Sequence, residues 1–109
     1  MAEKAFSCAE FKKLLAAKRR DSHFTRHARQ QSEKRTIPLA VFEEDLARNE
    51  PVLVLEEECE TAGERKFDVY YRQAAGLFHR YVICLNNKIR LITLLRTSKD
   101  VQKKVALLK

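Results

Sequence analysis

Lys66-Phe67-Asp68-Val69-Tyr70-Tyr71-Arg72 alternates polar and apolar side chains, and this period of two decides the fold class of the 109-residue chain. Successive side chains of a strand point to opposite faces, so the alternation describes a strand buried on one side. Leu77 to Leu85 and Ile89 to Leu95 repeat the pattern downstream. Ala74-Ala75-Gly76 and Asn86-Asn87 separate them and carry hairpin chemistry. Upstream, Val52-Leu53-Val54-Leu55 is a short β-branched-rich run. Together these segments predict a four-stranded, mainly antiparallel meander.

The first half of the chain has the helical period. Ser7-Cys8-Ala9-Glu10 fits a capping box, and Phe11, Leu14 and Leu15 follow at helical spacing, predicting a helix over 8–20. His23-Phe24-Thr25 reads as a short extended link. Arg26 to Lys34 lacks breakers and favours helix. Thr36-Ile37-Pro38 forces a restart, because the residue before proline avoids the α region and proline suits a first helical turn. Leu39 to Arg48 then forms another helix, stopped by Asn49-Glu50-Pro51. After the meander, Ser98 is placed to cap a last helix over about 98–108, with Asp100 in its first turn. Helices followed by a run of strands predict an α+β fold: N-terminal helices packed on the four-stranded sheet, with a C-terminal helix.

The length suits one domain over residues 1–109. Only two glycines and two prolines argue against a loop-rich or disordered chain. The first residues have no secretory apolar core, and no apolar run approaches the ~20 residues of a spanning helix. Cys8, Cys59 and Cys84 are an odd number without metal-ligand spacing. They read as reduced thiols of a cytoplasmic protein, and neither metal nor cofactor is expected.

The formal net charge is +7 and is unevenly spread. Residues 11–36 hold nine Lys and Arg against two acids, residues 37–64 one Arg against nine acids, and residues 65–109 eleven Lys and Arg against two acids. Basic thirds that face each other would form a positive cleft for nucleic acid; interleaved with the acidic third, they would form an ordinary solvated surface. Lys12, Lys13, Arg19, Arg20, Arg26 and Arg29 are the candidate nucleic-acid contacts.

Metal-independent RNA cleavage needs a base for the 2′-OH, cations for the developing phosphorane charge and an acid for the leaving 5′-oxygen. Histidine ordinarily titrates near neutral pH, which makes His27, in the most basic part of the chain, the base candidate. A helix histidine packed on the sheet is the competing reading. His23 and His27 have the four-residue spacing of a zinc-binding helical pair, but no third ligand accompanies them. Arg72 and Arg96 each close a strand candidate. Tyr70 and Tyr71 must face opposite ways, so at most one lines a given site. The runs Glu43-Glu44-Asp45 and Glu56-Glu57-Glu58 read as solvated surface.

Phe24-Thr25-Arg26-His27-Ala28-Arg29 followed by Glu33-Lys34-Arg35-Thr36-Ile37 resembles the F-T-x-H-A and E-R-G-I signature of a small domain family grouped with the RelE/ParE-like toxins, near the BrnT branch. The resemblance runs over roughly residues 20–97, through Asn49-Glu50-Pro51, a strand ending in Arg72, the segment Arg80-Tyr81-Val82-Ile83, and a last strand ending in Arg96. It implies a RelE-like fold, and a toxin-like ribonuclease acting on RNA, free or ribosome-bound, and blocked by a small antitoxin. By position it picks out His27 and Arg35 in the signature and Arg72 and Arg96 at the strand ends; the leading hypothesis makes His27 the base, the three arginines the phosphate and transition-state cations, and Tyr70 or His79 the acid. Thr36 stands where the family has glycine, so its turn is expected to avoid positive φ. A non-catalytic nucleic-acid- or partner-binding module of the same fold is the alternative, and an interaction protein for an acidic partner is the third reading.

Overall fold

A computed structural model describes residues 4–16, 22–59, 63–86 and 88–97. Among these, nine elements follow in the order β1 (Lys4–Ala5), α1 (Cys8–Ala16), β2 (Ser22–Phe24), α2 (Arg26–Arg35), α3 (Leu39–Arg48), β3 (Leu53–Glu57), β4 (Arg65–Ala74), β5 (Leu77–Leu85) and β6 (Ile89–Thr97). The class is α+β, and the expected meander is present as β3 to β6. The sheet, however, has six strands rather than four and is mixed rather than simply antiparallel. Its order is β1-β3-β4-β5-β6-β2.

The two additional strands are edges supplied from the N-terminal half. Lys4 and Ala5 pair antiparallel with Glu56 and Leu55. Ser22 to Phe24 pair parallel with Ile89 to Leu91. Segments of two and three residues are too short to show a period, so only the partner strand reveals them. The helix expected over about 98–108, like Arg19 and Arg20, lies outside the described residues. The last described element is the strand β6, not a helix.

Local signals account for the helix starts. Ser7 Oγ accepts from the Glu10 N–H at 3.2 Å, as the capping box requires. Thr25 caps α2, its hydroxyl accepting from the Ala28 N–H at 3.1 Å and donating to the Ile92 carbonyl at 3.3 Å. The expected link at His23-Phe24 is strand β2, so His23 and His27 belong to different elements and do not share a helical face.

Helices and sheet meet in one core. Phe11 sits edge-on to Phe67 at 5.3 Å, and Phe42 edge-on to Tyr81 at 4.9 Å. Phe67, Val69 and Tyr71 of β4, Tyr81 and Ile83 of β5, and Leu91 and Leu94 of β6 line the helix side. Each large apolar side chain buried there contributes roughly 1.5–3 kcal/mol. A smaller cluster of Leu53, Leu55, Tyr70 and Phe78 occupies the opposite face. Tyr70 and Tyr71 therefore part as the alternation required. No helix among the described residues is long and apolar enough to cross a membrane.

One turn runs against expectation. Thr36 has φ 54° and ψ 45°, in the left-handed region that its β-branched side chain disfavours. Hydrogen bonds hold it there. The Thr36 N–H donates to the Glu33 carbonyl at 3.3 Å, the Ile37 N–H to the Ser32 carbonyl at 3.0 Å, and Ser32 Oγ to the Ile37 carbonyl at 2.5 Å. This is a Schellman-type helix ending, and it drives Ile37 into the core with no exposed surface.

Candidate functional site

The site assembles where α2 closes the outer edge of β6. β2 covers only the first residues of that edge, and beyond it side chains of α2 take the place of a strand. The Leu94 N–H donates to Gln31 Oε1 at 3.3 Å, and Arg35 Nη1 donates to the Leu94 carbonyl at 2.8 Å. Arg35 also bonds Gln31 Oε1 at 3.0 Å, so the two side chains hold each other against the edge. A break of register between Val82 and Ile83 leaves Ile92 as an extra residue in β6, whose carbonyl accepts from the Thr25 hydroxyl.

Arg96 lies one turn of the alternation beyond Leu94, on the same side as the helices. Its Nη2 donates to the Thr36 carbonyl at 2.9 Å. Arg35, Leu95 and Arg96 line a hollow of about 410 Å³. Two guanidiniums from a helix and a strand thus converge on one open concavity.

His79 is the cross-strand partner of Arg96 and belongs to the same face. It is 6% exposed, under α3, in a polar network the sequence did not announce. Tyr81 Oη donates to Asp45 Oδ2 at 2.5 Å, and His79 Nδ1 lies 3.1 Å from Tyr81 Oη. Because the tyrosine proton is committed to Asp45, its oxygen accepts from His79 Nδ1–H. The second ring nitrogen, Nε2, then carries the lone pair. Gln73 Nε2 at 3.0 Å and Asn49 Nδ2 at 2.7 Å hold the Asp45 carboxylate in place. Burial pushes the His79 pKa below the ordinary histidine value; Asp45 pulls it up and Arg96 pushes it further down. The Tyr81 hydroxyl is raised by burial and by its bond to Asp45, which keeps it protonated.

The remaining expected residues scatter. His27 is exposed on α2 and makes no hydrogen bond or ion pair with the described residues. It stands eight residues before Arg35, about 12 Å along the helix and roughly 80° around it. Arg72 is the register partner of Phe78 on the face opposite the helices, so it shares no surface with Arg96 or Arg35. Tyr70 lies on that same far face, with the Arg80 guanidinium 5.8 Å from its ring centroid. Of the expected residues, Arg35 and Arg96 share the hollow, and His79 lies opposite Arg96 in the strand register, outside the hollow's lining.

The basic thirds do not form one cleft either. α1 sits against β3 and α2 against β6, three strand spacings or about 14 Å apart in the sheet. Lys12 and Lys13 are therefore remote from Arg26 and Arg29. The acidic third interleaves with the basic ones. Glu50 meets Lys12, Glu56 meets Arg65, Glu57 meets Lys66 and Glu64 meets Arg90. Arg26, Arg29, Lys34, Arg35 and Arg96 have no acidic partner among the described residues. Arg29 lies over the Phe24 ring at 5.5 Å. Positive charge is concentrated on α2 and its junction with β6.

Asp45, in an acidic run whose composition suits a solvated surface, is only 2% exposed. Its helical position, three residues after Phe42 on the apolar stripe, was the signal for burial. Gln31 carried no comparable signal. Comparison with protein-family models, with curated proteins and with solved structures finds no match to this chain.

Proposed function

We propose that the protein is a small RNA-binding domain that grips phosphate with the exposed face of α2 and the Arg35–Arg96 hollow. The convergence of those two guanidiniums, beside a helix whose four cations face a single acid, carries this reading. Guanidinium forks match phosphate oxygens two at a time, and unpaired cations release counterions when phosphate replaces them. The likeness of residues 24–37 to the RelE/BrnT-like toxins favours RNA, free or ribosome-bound, as ligand and a small antitoxin as protein partner. Three cysteines without disulfide or metal spacing favour the cytoplasm as its setting. Binding of a labelled single-stranded RNA, followed over a range of salt concentrations, tests the proposal. The logarithm of the affinity falls linearly with the logarithm of salt, with a slope of about −0.7 per phosphate engaged. A flat response rejects it.

His79 favours a second reading, RNA cleavage without a metal. Its neutral form and its bond through Nδ1 leave Nε2 as a base, and Arg96 faces it across the strand pair. In this mechanism His79 takes the 2′-OH proton, Arg96 and Arg35 stabilise the phosphorane, and the protonated ring returns the proton to the leaving 5′-oxygen. The base is then His79 and not His27. Cleavage that survives His79→Gln removes this reading and leaves RNA binding intact.

A further inference from the structure

At the other end of β5 and β6 from the arginine hollow, three donor groups meet from the β3–β4 connection and from β5. Cys59 follows β3, Glu64 immediately precedes β4, and Cys84 lies near the end of β5. Their sulfur and carboxylate atoms all lie within 4.8 Å of one another. Cys84 is buried and Cys59 half-buried. Only 8% of the Glu64 side chain is exposed. The group opens on a cavity of about 310 Å³ that Glu58, Lys66 and Arg90 also line.

We propose that Cys59, Glu64 and Cys84 form a binding site for a thiophilic divalent cation, with zinc the metal that fits best. Two thiolates and one carboxylate are a zinc donor set, and softer or harder donors alone would point elsewhere. The carboxylate is already oriented. Glu64 Oε2 accepts from Asn86 Nδ2 at 2.7 Å and Oε1 from Arg90 Nη2 at 3.1 Å. Such outer partners hold a ligand in position for the metal. Tetrahedral zinc with bonds of about 2.3 Å to sulfur places its sulfurs about 3.8 Å apart. That spacing lies inside the 4.8 Å within which all three donor atoms fall.

Charge supports the same assignment. Both thiols lose their protons to solvent on binding, so three anionic donors surround a dication and one negative charge remains. Arg90, ion-paired with Glu64, and Lys66 on the cavity wall offset it. Glu58 or a water completes four-coordination. The metal would join the β3–β4 connection to β5, a stabilising role independent of RNA binding. The sequence concealed the site because Cys84 lies twenty residues beyond Glu64, outside any short ligand motif.

Cobalt(II) serves as the probe, titrated into the full chain kept reduced with a phosphine. The expected result is the visible absorption of a tetrahedral cobalt–thiolate site, saturating at one equivalent, displaced by zinc, kept in Cys8→Ser and lost in Cys84→Ser. Glu64→Gln weakens zinc by at least about tenfold. Cys59→Ser, at a half-buried loop position, carries the test if Cys84→Ser does not fold. The absence of the band overturns the proposal, as does a band that survives in Cys59→Ser. So does a Cys59–Cys84 disulfide that forms in air as fast with one equivalent of zinc as without it.

Discussion

Arg96 Nη2 donates to the carbonyl oxygen of Thr36 at 2.9 Å, tying the end of β6 to the left-handed turn that separates α2 from α3. The bond orients the guanidinium over the hollow it shares with Arg35. It also means that the turn and the proposed phosphate site are one structural unit, since Thr36 directly follows Arg35.

Arg96→Gln and Arg35→Gln are each expected to weaken RNA binding and to make the log–log salt slope shallower by about 0.7. Lys13→Gln, on α1 far from α2, leaves the slope unchanged. Equal effects of all three would place the RNA on the general positive surface instead of at this junction. Fluorescence anisotropy at several salt concentrations measures the slopes.

If the protein cleaves RNA, His79→Gln lowers the rate by about 10²–10⁴-fold, the usual contribution of a positioned base, and His27→Ala leaves the rate per folded molecule unchanged. The reverse order would return the base to α2. Urea unfolding of the same preparations separates lost activity from lost structure.

His79 also makes stability depend on pH in a defined direction. Burial holds its folded-state pKa below the unfolded value, so the unfolded chain binds more protons in that window. Its contribution is fully present above about pH 6.5 and is lost as pH falls through the lower folded value. Subtracting the His79→Gln urea midpoints from those of the wild type isolates the step. A difference that grows toward acid contradicts the assignment.

Thr36→Gly is expected to raise the unfolding free energy by about 0.5–1 kcal/mol. A β-branched residue in the left-handed region costs roughly 1–2 kcal/mol, and glycine returns part of that gain as unfolded-state entropy. The melting temperature should rise by a few degrees. A fall would mean that the Thr36 side chain contributes more than its backbone geometry costs.

Tyr71→Phe is expected to leave the fold unchanged or to stabilise it by about 1 kcal/mol. The Tyr71 hydroxyl is buried without a hydrogen-bond partner among the described residues, and burial raises its pKa. Removing an unsatisfied polar atom while keeping the ring recovers its desolvation cost. Destabilisation by more than that amount, seen in urea unfolding, would reveal a partner for the hydroxyl.

By itself the sequence determined what is local. The alternation of residues 66–72 specified β4 and the parting of Tyr70 from Tyr71. Ser7 and Glu10 specified the start of α1, and Ile37-Pro38 the break between α2 and α3. These follow from side-chain period and from backbone sterics within a few residues. Tertiary structure alone decided which elements became neighbours. It paired β1 and β2 onto the edges of the sheet. It set Gln31 and Arg35 against Leu94, and sent Arg72 to the face away from Arg96. It drew Asp45 to Tyr81 and Cys59 to Cys84 across long stretches of chain. Those contacts depend on strand register, on the extra residue at Ile92 and on the burial of one shared core. No short window of sequence encodes them, because their energy exists only once the whole sheet has closed.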